Sequence, residues 1–368
     1  MTTNEHKEIH LVVCQHGLWG VPTHFNVLLK HMEDVHGDTE VRILNSNISQ
    51  GFQTYAGIDL IGDKLIELIH ETIATMKKKD QTVTRISFIG YSLGGLVMRY
   101  TIGKLYTTHF FDTIQPINFV TIATPHLGIR KKGNQTIEKI FNSLASALTS
   151  RSGSQMALED VYLNGLPLLV VMAMPNSPFY KALGLFKRRQ AFANIKSDRT
   201  VPYTTASFKE SNPYHRWVPM KGYGDEYPSL VKPSTVPYTQ LPMTTRGKVT
   251  FSIFIILSPI LVPLWLAVAL PTLAGWSAYY HITTKPTETE WVWSDKDLQF
   301  HASSNPELLK TSAPAQRAYI IEQLNTLPWD KVDVMTERSH SHAAIIVRNG
   351  KDGSYDVTKY LVDTFARI

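Results

Sequence analysis

The sequence predicts an α/β fold built on a mostly parallel, doubly wound sheet, and three observations carry that reading. Apolar strand-like runs alternate with segments whose apolar residues recur at helical spacing, which is the rhythm of successive βα units. One run, containing Ile86, Phe88 and Ile89, ends in Gly90-Tyr91-Ser92-Leu93-Gly94 and is followed by a helical pattern from Leu96 to Leu105. That is the context of a sharp strand-to-helix turn. With 368 residues, 43% of them apolar, the chain is long enough to bury a large core in one domain with insertions.

The elements follow in order. His10 to Cys14 reads as a strand, Thr23 to Val35 as a helix with Phe25, Leu28, Leu29 and Met32 on one face, and Val41 to Asn45 as a second strand. A helix from Gly57 to Met76 leads to the Ile86 strand and its following helix, then a strand from Ile117 to Ala123 and another from Gln190 to Ile195. Helices near Thr136 to Leu148 and Pro178 to Leu185 flank the sheet or form a cap, and Ala315 to Leu327 and Val357 to Phe365 close the fold. No internal repeat and no long low-complexity segment interrupts this pattern.

Ser92 is the candidate nucleophile. A serine held on so tight a turn needs glycine neighbours where the backbone crowds; the bland alternative is an ordinary tight βα turn. A serine hydroxyl attacks poorly near neutral pH, so it requires a base, an acid that orients the base, and donors for an oxyanion. In the α/β-hydrolase arrangement the order is nucleophile, acid, histidine, which places the partners after Ser92. Asp198 follows the Gln190 to Ile195 strand in a loop that can aim its carboxylate, although loop aspartates more often form Asx-turns. Among the later histidines, His215, His281, His301, His340 and His342, the last precedes Ala343-Ala344-Ile345-Ile346-Val347 and is anchored by that apolar run. His342 is therefore the expected base, with His340 as the fallback. The His-x-His pair is not read as a metal site, because the chain has one cysteine, no H-E-x-x-H and no evident third ligand. The oxyanion donors expected are the backbone N–H groups of Leu93, after the nucleophile, and of Leu18, in His16-Gly17-Leu18-Trp19-Gly20 after the first strand.

These two loops, together with Ala123-Thr124-Pro125-His126-Leu127-Gly128, Asp198-Arg199-Thr200-Val201-Pro202 and His342-Ala343-Ala344-Ile345-Ile346, resemble the serine esterase family of α/β-hydrolase lipases, in particular its fungal lipid-droplet phospholipase branch. The resemblance covers roughly Glu8 to Ser207 and Val332 to Arg348, and lapses between Phe208 and Trp329. It implies an α/β-hydrolase in which Ser92, Asp198 and His342 act as nucleophile, acid and base. It also implies a glycerophospholipid or other acyl-lipid substrate and no cofactor.

Cys14, the single cysteine, excludes an internal disulfide framework and reads as a small buried strand residue. The residues before the first strand lack an apolar signal core, so the catalytic domain is expected to face the cytosol. A formal charge of +6 and a pI near 9.1 suit attraction to anionic lipid headgroups. The runs Lys77-Lys78-Lys79, Arg130-Lys131-Lys132 and Lys187-Arg188-Arg189 read as solvated surface, and no nucleic-acid motif accompanies them.

One part is unusual. From Val249 to Thr284 no Asp, Glu, Lys or Arg occurs, and Pro259, Pro263 and Pro271 interrupt the stretch. A single crossing of a bilayer would leave His342 on the far side from Ser92 and Asp198, so the segment is expected to enter and leave on one face. Prolines disfavour a straight helix, which predicts a helical hairpin seated in a lipid-droplet monolayer; two full antiparallel spans and an apolar lid are the alternatives. Arg246, Lys248 and Lys285 would hold its ends at headgroup level, with anchors among Trp265, Trp276, Tyr279 and Tyr280. The expected organisation is residues 1–245 as hydrolase core, 246–285 as the apolar hairpin and 286–368 as the part carrying the histidine. The expected function is a lipid-droplet phospholipase, with the endoplasmic reticulum membrane as second location. A neutral-lipid lipase, a serine acyltransferase and a non-catalytic droplet tether are its rivals.

Overall fold

The computed structural model describes residues 7–37, 40–129, 147–214, 220–233, 245–284, 306–336, 340–348 and 354–365. Its strands are β1 (Lys7–Gln15), β2 (Val41–Asn45), β3 (Gln81–Tyr91), β4 (Gln115–Ile122), β5 (Arg188–Asn194), the short pair β6 (Met220–Gly222) and β7 (Val231–Pro233), and β8 (Asp330–Val334). Six of them form one sheet in the order β2-β1-β3-β4-β5-β8, and every pairing in it is parallel. One line of register partners crosses the sheet from Asn45 through Cys14, Ile89, Val120 and Gln190 to Asp330. The pair β6 and β7 is antiparallel.

Strand alternation divides the core in two. On β1, Ile9, Leu11 and Val13 pack into one apolar layer and Val12 and Cys14 into the other, as a strand covered on both faces requires. The first layer lies under helices α2 (Ile58–Lys77), α3 (Leu93–Thr107), α5 (Pro178–Leu185) and α7 (Ala313–Asn325), with α4 (Ser150–Ala157) against α2. The second lies under α1 (Asn26–His36) and α9 (Tyr355–Asp363), which touch each other. This is a doubly wound α/β-hydrolase architecture. The Cys14 thiol is fully buried, and burial pushes its pKa up to about 12.

All the loops that carry the candidate residues leave the carboxyl ends of strands: 16–20 after β1, Ser92 after β3, Asp198 after β5 and His342 after β8. Parallel sheets place their ligand clefts at that edge. Because β5 and β8 are hydrogen-bonded neighbours, the acid and the histidine emerge side by side although the sequence between them is long.

The apolar segment differs from the hairpin expected of it. It is one helix, α6 (Thr245–Thr283), of 39 residues with all three prolines inside, about 58 Å long at 1.5 Å per residue. The hairpin loses because a turn would open unpaired backbone N–H and C=O groups at two new helix ends, and Ser258 and Thr272 are the few hydroxyl side chains near the middle of the stretch that could cap them. A proline removes only its own N–H donor, and the missing bond of Pro263 would have gone to the carbonyl of Pro259. Two antiparallel spans within this segment are excluded by the same continuity. The helix between Thr136 and Leu148 falls almost wholly outside the described residues, as do Arg130 to Lys132 and Lys285. The sequence reading had no counterpart for β8, α4 or the β6–β7 pair.

Near its C-terminal end α6 meets the domain. Ser277 is buried, its carbonyl accepts from Ser150 Oγ at 3.1 Å and its own hydroxyl donates to Ala147 O. The Trp276 ring stacks on Phe52 with centroids 5.1 Å apart, and Tyr280 meets Tyr55 at 6.3 Å.

At the sheet's centre, α3 starts so close to β1 that a Cβ on Gly94 would lie 2.0 Å from the Gln15 carbonyl oxygen. Backbone cannot yield there as a side chain can. Gly94→Ala is expected to lower the thermal midpoint by several degrees, since overpacking costs about 1–3 kcal/mol or more; an unchanged melting curve would contradict the close approach.

Candidate active site

Ser92 sits between β3 and α3 with φ +54° and ψ −127°, a conformation that side chains rarely adopt and that is held only by its surroundings. Its N–H donates to Ile122 O at 2.8 Å and its carbonyl accepts from Gly95 N–H at 3.1 Å. The loop after β1 presses on it from the other side: a Cβ on Gly17 would fall 2.6 Å from Ser92 Cβ. That contact explains the glycine and brings the Leu18 loop alongside the serine.

The structure brings Ser92, His342 and Asp198 into one hydrogen-bonded chain. His342 Nε2 is 3.1 Å from Ser92 Oγ, and His342 Nδ1 is 2.9 Å from Asp198 Oδ2. With the imidazole proton assigned to Nδ1, that nitrogen donates to the carboxylate and Nε2 is left to accept from the serine. His342 stands on a short helix, α8 (Ser341–Ala344), where the sequence suggested a loop. The Ile345-Ile346-Val347 run that follows is buried. His340, the fallback, is exposed just ahead of that helix and outside the chain of bonds.

Asp198 is fixed by more than its histidine. Oδ1 accepts from the N–H groups of Thr200 at 3.0 Å and Val201 at 2.8 Å, and Oδ2 also accepts from Asn194 Nδ2 at 3.0 Å. Burial alone would raise its pKa. The bond and charge of His342 outweigh that, with the Val201 N–H and the Asn194 amide adding to them, and hold the carboxyl below its usual range. The Asx-turn of the bland reading is thus present as well, made by the same side chain through its other oxygen.

Two residues that the sequence reading did not single out position the histidine. Tyr91 Oη donates to the His342 carbonyl at 2.8 Å, and its ring lies 5.1 Å from the imidazole. Asn194, the last residue of β5, donates to both Asp198 and the Ser341 carbonyl at 3.1 Å, tying the acid turn to the histidine helix. Their adjacency to the serine and to the Asp198 turn was the available signal; their bonds exist only in the folded chain.

Leu93 is the first residue of α3, so its N–H has no intrahelical acceptor. The Leu18 turn is closed by a bond from Gly20 N–H to Gly17 O at 2.9 Å and pinned by Trp19, whose backbone N–H donates to Thr54 Oγ1 and whose indole donates to Tyr55 Oη, both at 3.0 Å. His16 is buried beneath it with Nδ1 3.1 Å from the Gly17 carbonyl, and burial lowers its pKa, leaving a neutral ring that braces the turn. Among the described residues no three His, Cys, Asp or Glu side chains gather as a metal site. The arrangement can therefore deliver a serine to a carbonyl, with a histidine to take the proton and backbone amides near the incipient oxyanion.

A fluorophosphonate probe reads this arrangement directly. His342→Ala is expected to slow labelling of Ser92 by about 10³-fold or more, whereas His340→Ala should label like the wild type. Exchange of those two results would move the base to His340. Gly17→Ala, by pushing on Ser92, should slow labelling at least tenfold.

Comparison with known proteins adds a family to this geometry. Residues 5–211 match the family described as "Putative serine esterase (DUF676)", a range that contains the Gly17 loop, the Ser92 turn and Asp198 and ends before His342. The chain is 34% identical over 218 residues to "Putative lipase ROG1" of Saccharomyces cerevisiae, covering 56% of this chain and 29% of that protein. It is 30% identical over 218 residues to "Putative lipase C4A8.10" of Schizosaccharomyces pombe, covering 56% and 27%. The matched region thus spans less than a third of either relative. A solved structure, a "Lipase-esterase related protein" from Clostridium acetobutylicum, shows 15% identity with a TM-score of 0.33 over 56% of this chain and 84% of its own. With more than half of its residues inside the family match, the chain belongs to the putative serine esterase family.

Proposed function

We propose that the protein is a serine hydrolase that cleaves acyl esters of glycerophospholipids at a lipid surface. The observation that carries the reaction type is the chain of bonds from Ser92 through His342 to Asp198. In this mechanism His342 Nε2 takes the Ser92 proton as Oγ attacks the acyl carbonyl, and Asp198 stabilises the imidazolium that forms. The Leu93 and Leu18 amides receive the oxyanion. Collapse returns the proton from His342 to the leaving alcohol and leaves an acyl-serine. His342 then activates a water that releases the fatty acid. Every proton in the cycle is carried by the serine, the imidazole or water, and no cofactor takes part.

The lipid substrate is supported by α6 and by the family. Within Ile256–Thr283 an 18-residue run averages a hydropathy of 2.0 with none of its residues buried; Ile260 is 71% and Trp265 64% exposed. A helix apolar on every side belongs in a core or in hydrocarbon, and this one lies outside the core. Ser92 and Asp198 precede α6, while His342 follows it, and all three meet on one side. The stretch between Pro233 and Thr245 is too short for a second span, which needs about 20 apolar residues. A helix sunk into one leaflet satisfies these conditions, and a droplet monolayer, with hydrocarbon and no second aqueous phase beneath it, accommodates it best. The endoplasmic reticulum membrane is the second surface, with the catalytic domain facing the cytosol.

A neutral-lipid lipase would use the same residues and the same helix, so substrate turnover separates the two. Wild-type and Ser92→Ala protein are incubated with phosphatidylcholine, phosphatidylethanolamine and triacylglycerol in mixed micelles. Fatty acid release from the phospholipids that falls by about 10³-fold or more in Ser92→Ala is expected. Release only from triacylglycerol selects the neutral lipase, transfer of the acyl group to an alcohol selects an acyltransferase, and no turnover returns the protein to a tether. Removal of residues 245–284 should move the protein from droplets to the soluble fraction while its melting transition persists; droplet binding by that folded variant would place the anchor elsewhere.

A further inference from the structure

Beside the serine lies a second feature that the mechanism does not use. A cleft of about 340 Å³ is lined by Ser197, Arg199, Thr200, His340, His342 and Arg348, together with Ser341 and Ala343. Its lining brings together two guanidinium groups, two imidazoles and three hydroxyl side chains, and no carboxylate among the described lining residues. Among the described residues the acid adjoining it in sequence, Asp198, spends both oxygens on His342, Asn194 and the Thr200 and Val201 amides. Neither arginine has an acidic partner among the described residues, and Arg348 Nε is buried without an acceptor. Guanidinium groups that carry no ion pair leave a favourable charge interaction open, and an anion in the cleft would supply it. Planar guanidinium groups suit phosphate oxygens in particular.

The cleft's position gives the anion a chemical identity. His342 is at once a wall of the cleft and the partner of Ser92 Oγ at 3.1 Å. An anion held by Arg199 and Arg348 would therefore lie against the same histidine that serves Ser92. In a glycerophospholipid only a few bonds of the glycerol unit separate an ester carbonyl from the phosphorus. Exposed Arg199, Thr200 and His340 form the outer rim, where the group beyond the phosphate can leave toward solvent.

Building on the hydrolase reading above, we infer that this cleft is a phosphate subsite, in which Arg199 and Arg348 hold the phosphate of a glycerophospholipid while its acyl ester is presented to Ser92. It is the device by which a phosphate-bearing acylglycerol is preferred to a neutral one. His340, the neighbour set aside as base, takes a place here as a rim donor.

The test measures a ratio. Hydrolysis of dioctanoyl phosphatidylcholine and of dioctanoylglycerol is compared in the same detergent micelles, for wild type, Arg199→Glu, Arg348→Gln and the double variant, each checked by its melting curve. The phospholipid-to-diacylglycerol ratio of kcat/KM is expected to fall at least tenfold in the double variant and severalfold in Arg199→Glu, an exposed position whose change leaves folding intact. Lys196→Glu, exposed nearby but outside the cleft, controls for overall charge and should keep the wild-type ratio. An unchanged ratio in folded Arg199→Glu and double variants, or an equal fall in Lys196→Glu, overturns the subsite. Binding of glycerol 3-phosphate and of inorganic phosphate to Ser92→Ala protein, followed by calorimetry, separates the sources of the anion. Glycerol 3-phosphate binding lost in the arginine variants is expected. Inorganic phosphate bound as tightly would assign the cleft to free phosphate and overturn its role toward lipid, and binding of neither overturns the subsite outright. Should the wild type hydrolyse neither lipid, the hydrolase reading fails on its own, and the calorimetric arm still decides whether the cleft holds phosphate.

Discussion

The backbone turn at Ser92 is the constraint on which the rest of the site depends. A non-glycine residue at φ +54° costs on the order of 1–3 kcal/mol, and the structure holds it there by crowding. Ile122 takes its N–H, Gly95 its carbonyl, and Gly17 approaches so closely that no side chain fits between the two loops. Each contact comes from a different strand end, β4, α3 after β3, and β1. The parallel sheet thus supplies the clamp, and relaxing any one of these strands would let the serine fall back toward an ordinary turn. The proposed chemistry is in this sense a property of the sheet edge as a whole.

The histidine side is built by a different means. Nothing local in the chain places His342 opposite Ser92; the two are brought together because β8 pairs with β5 and β5 with β4. Fine adjustment is left to hydrogen bonds that reach across elements, from Tyr91 to the His342 carbonyl and from Asn194 to both the acid and the Ser341 carbonyl. These two side chains link the strands to the loops, so the imidazole is held from its backbone as well as through its ring.

How much of this was legible in the sequence follows from which signals are local. The strands of β1 to β5 and helices α1 to α3 announce themselves by apolar runs and helical spacing, and the glycine-flanked Ser92 announces its turn. Strand β8 does not: Asp330, Lys331 and Asp333 break its apolar pattern. Val332 and Val334 are nevertheless buried, and Asp333 is paired with the hydroxyls of Tyr203 and Tyr214 at 2.9 and 2.7 Å. Those partners are remote in sequence, so the burial of a charged strand residue had no local sign. The prolines of α6 misled in the opposite direction. They were weighed as helix breakers, whereas in a stretch without charged groups the unbroken backbone ladder satisfies more donors and acceptors than any turn would. The bonds of Tyr91 and Asn194 were invisible for the same reason as β8, since each depends on a fold that is complete.

The aromatic contacts at the end of α6 carry a mechanical consequence. Trp276 stacks on Phe52, Phe52 meets Tyr55 edge to face at 5.6 Å, and Tyr55 receives the indole hydrogen bond of Trp19, two residues beyond Gly17. Rigid rings therefore run without a gap from the root of the apolar helix to the loop that touches the serine. In the proposed lipid-bound state a helix fastened in this way would act as a keel: the depth at which it floats would fix the draught of the domain, and with it the height of Ser92 above the hydrocarbon.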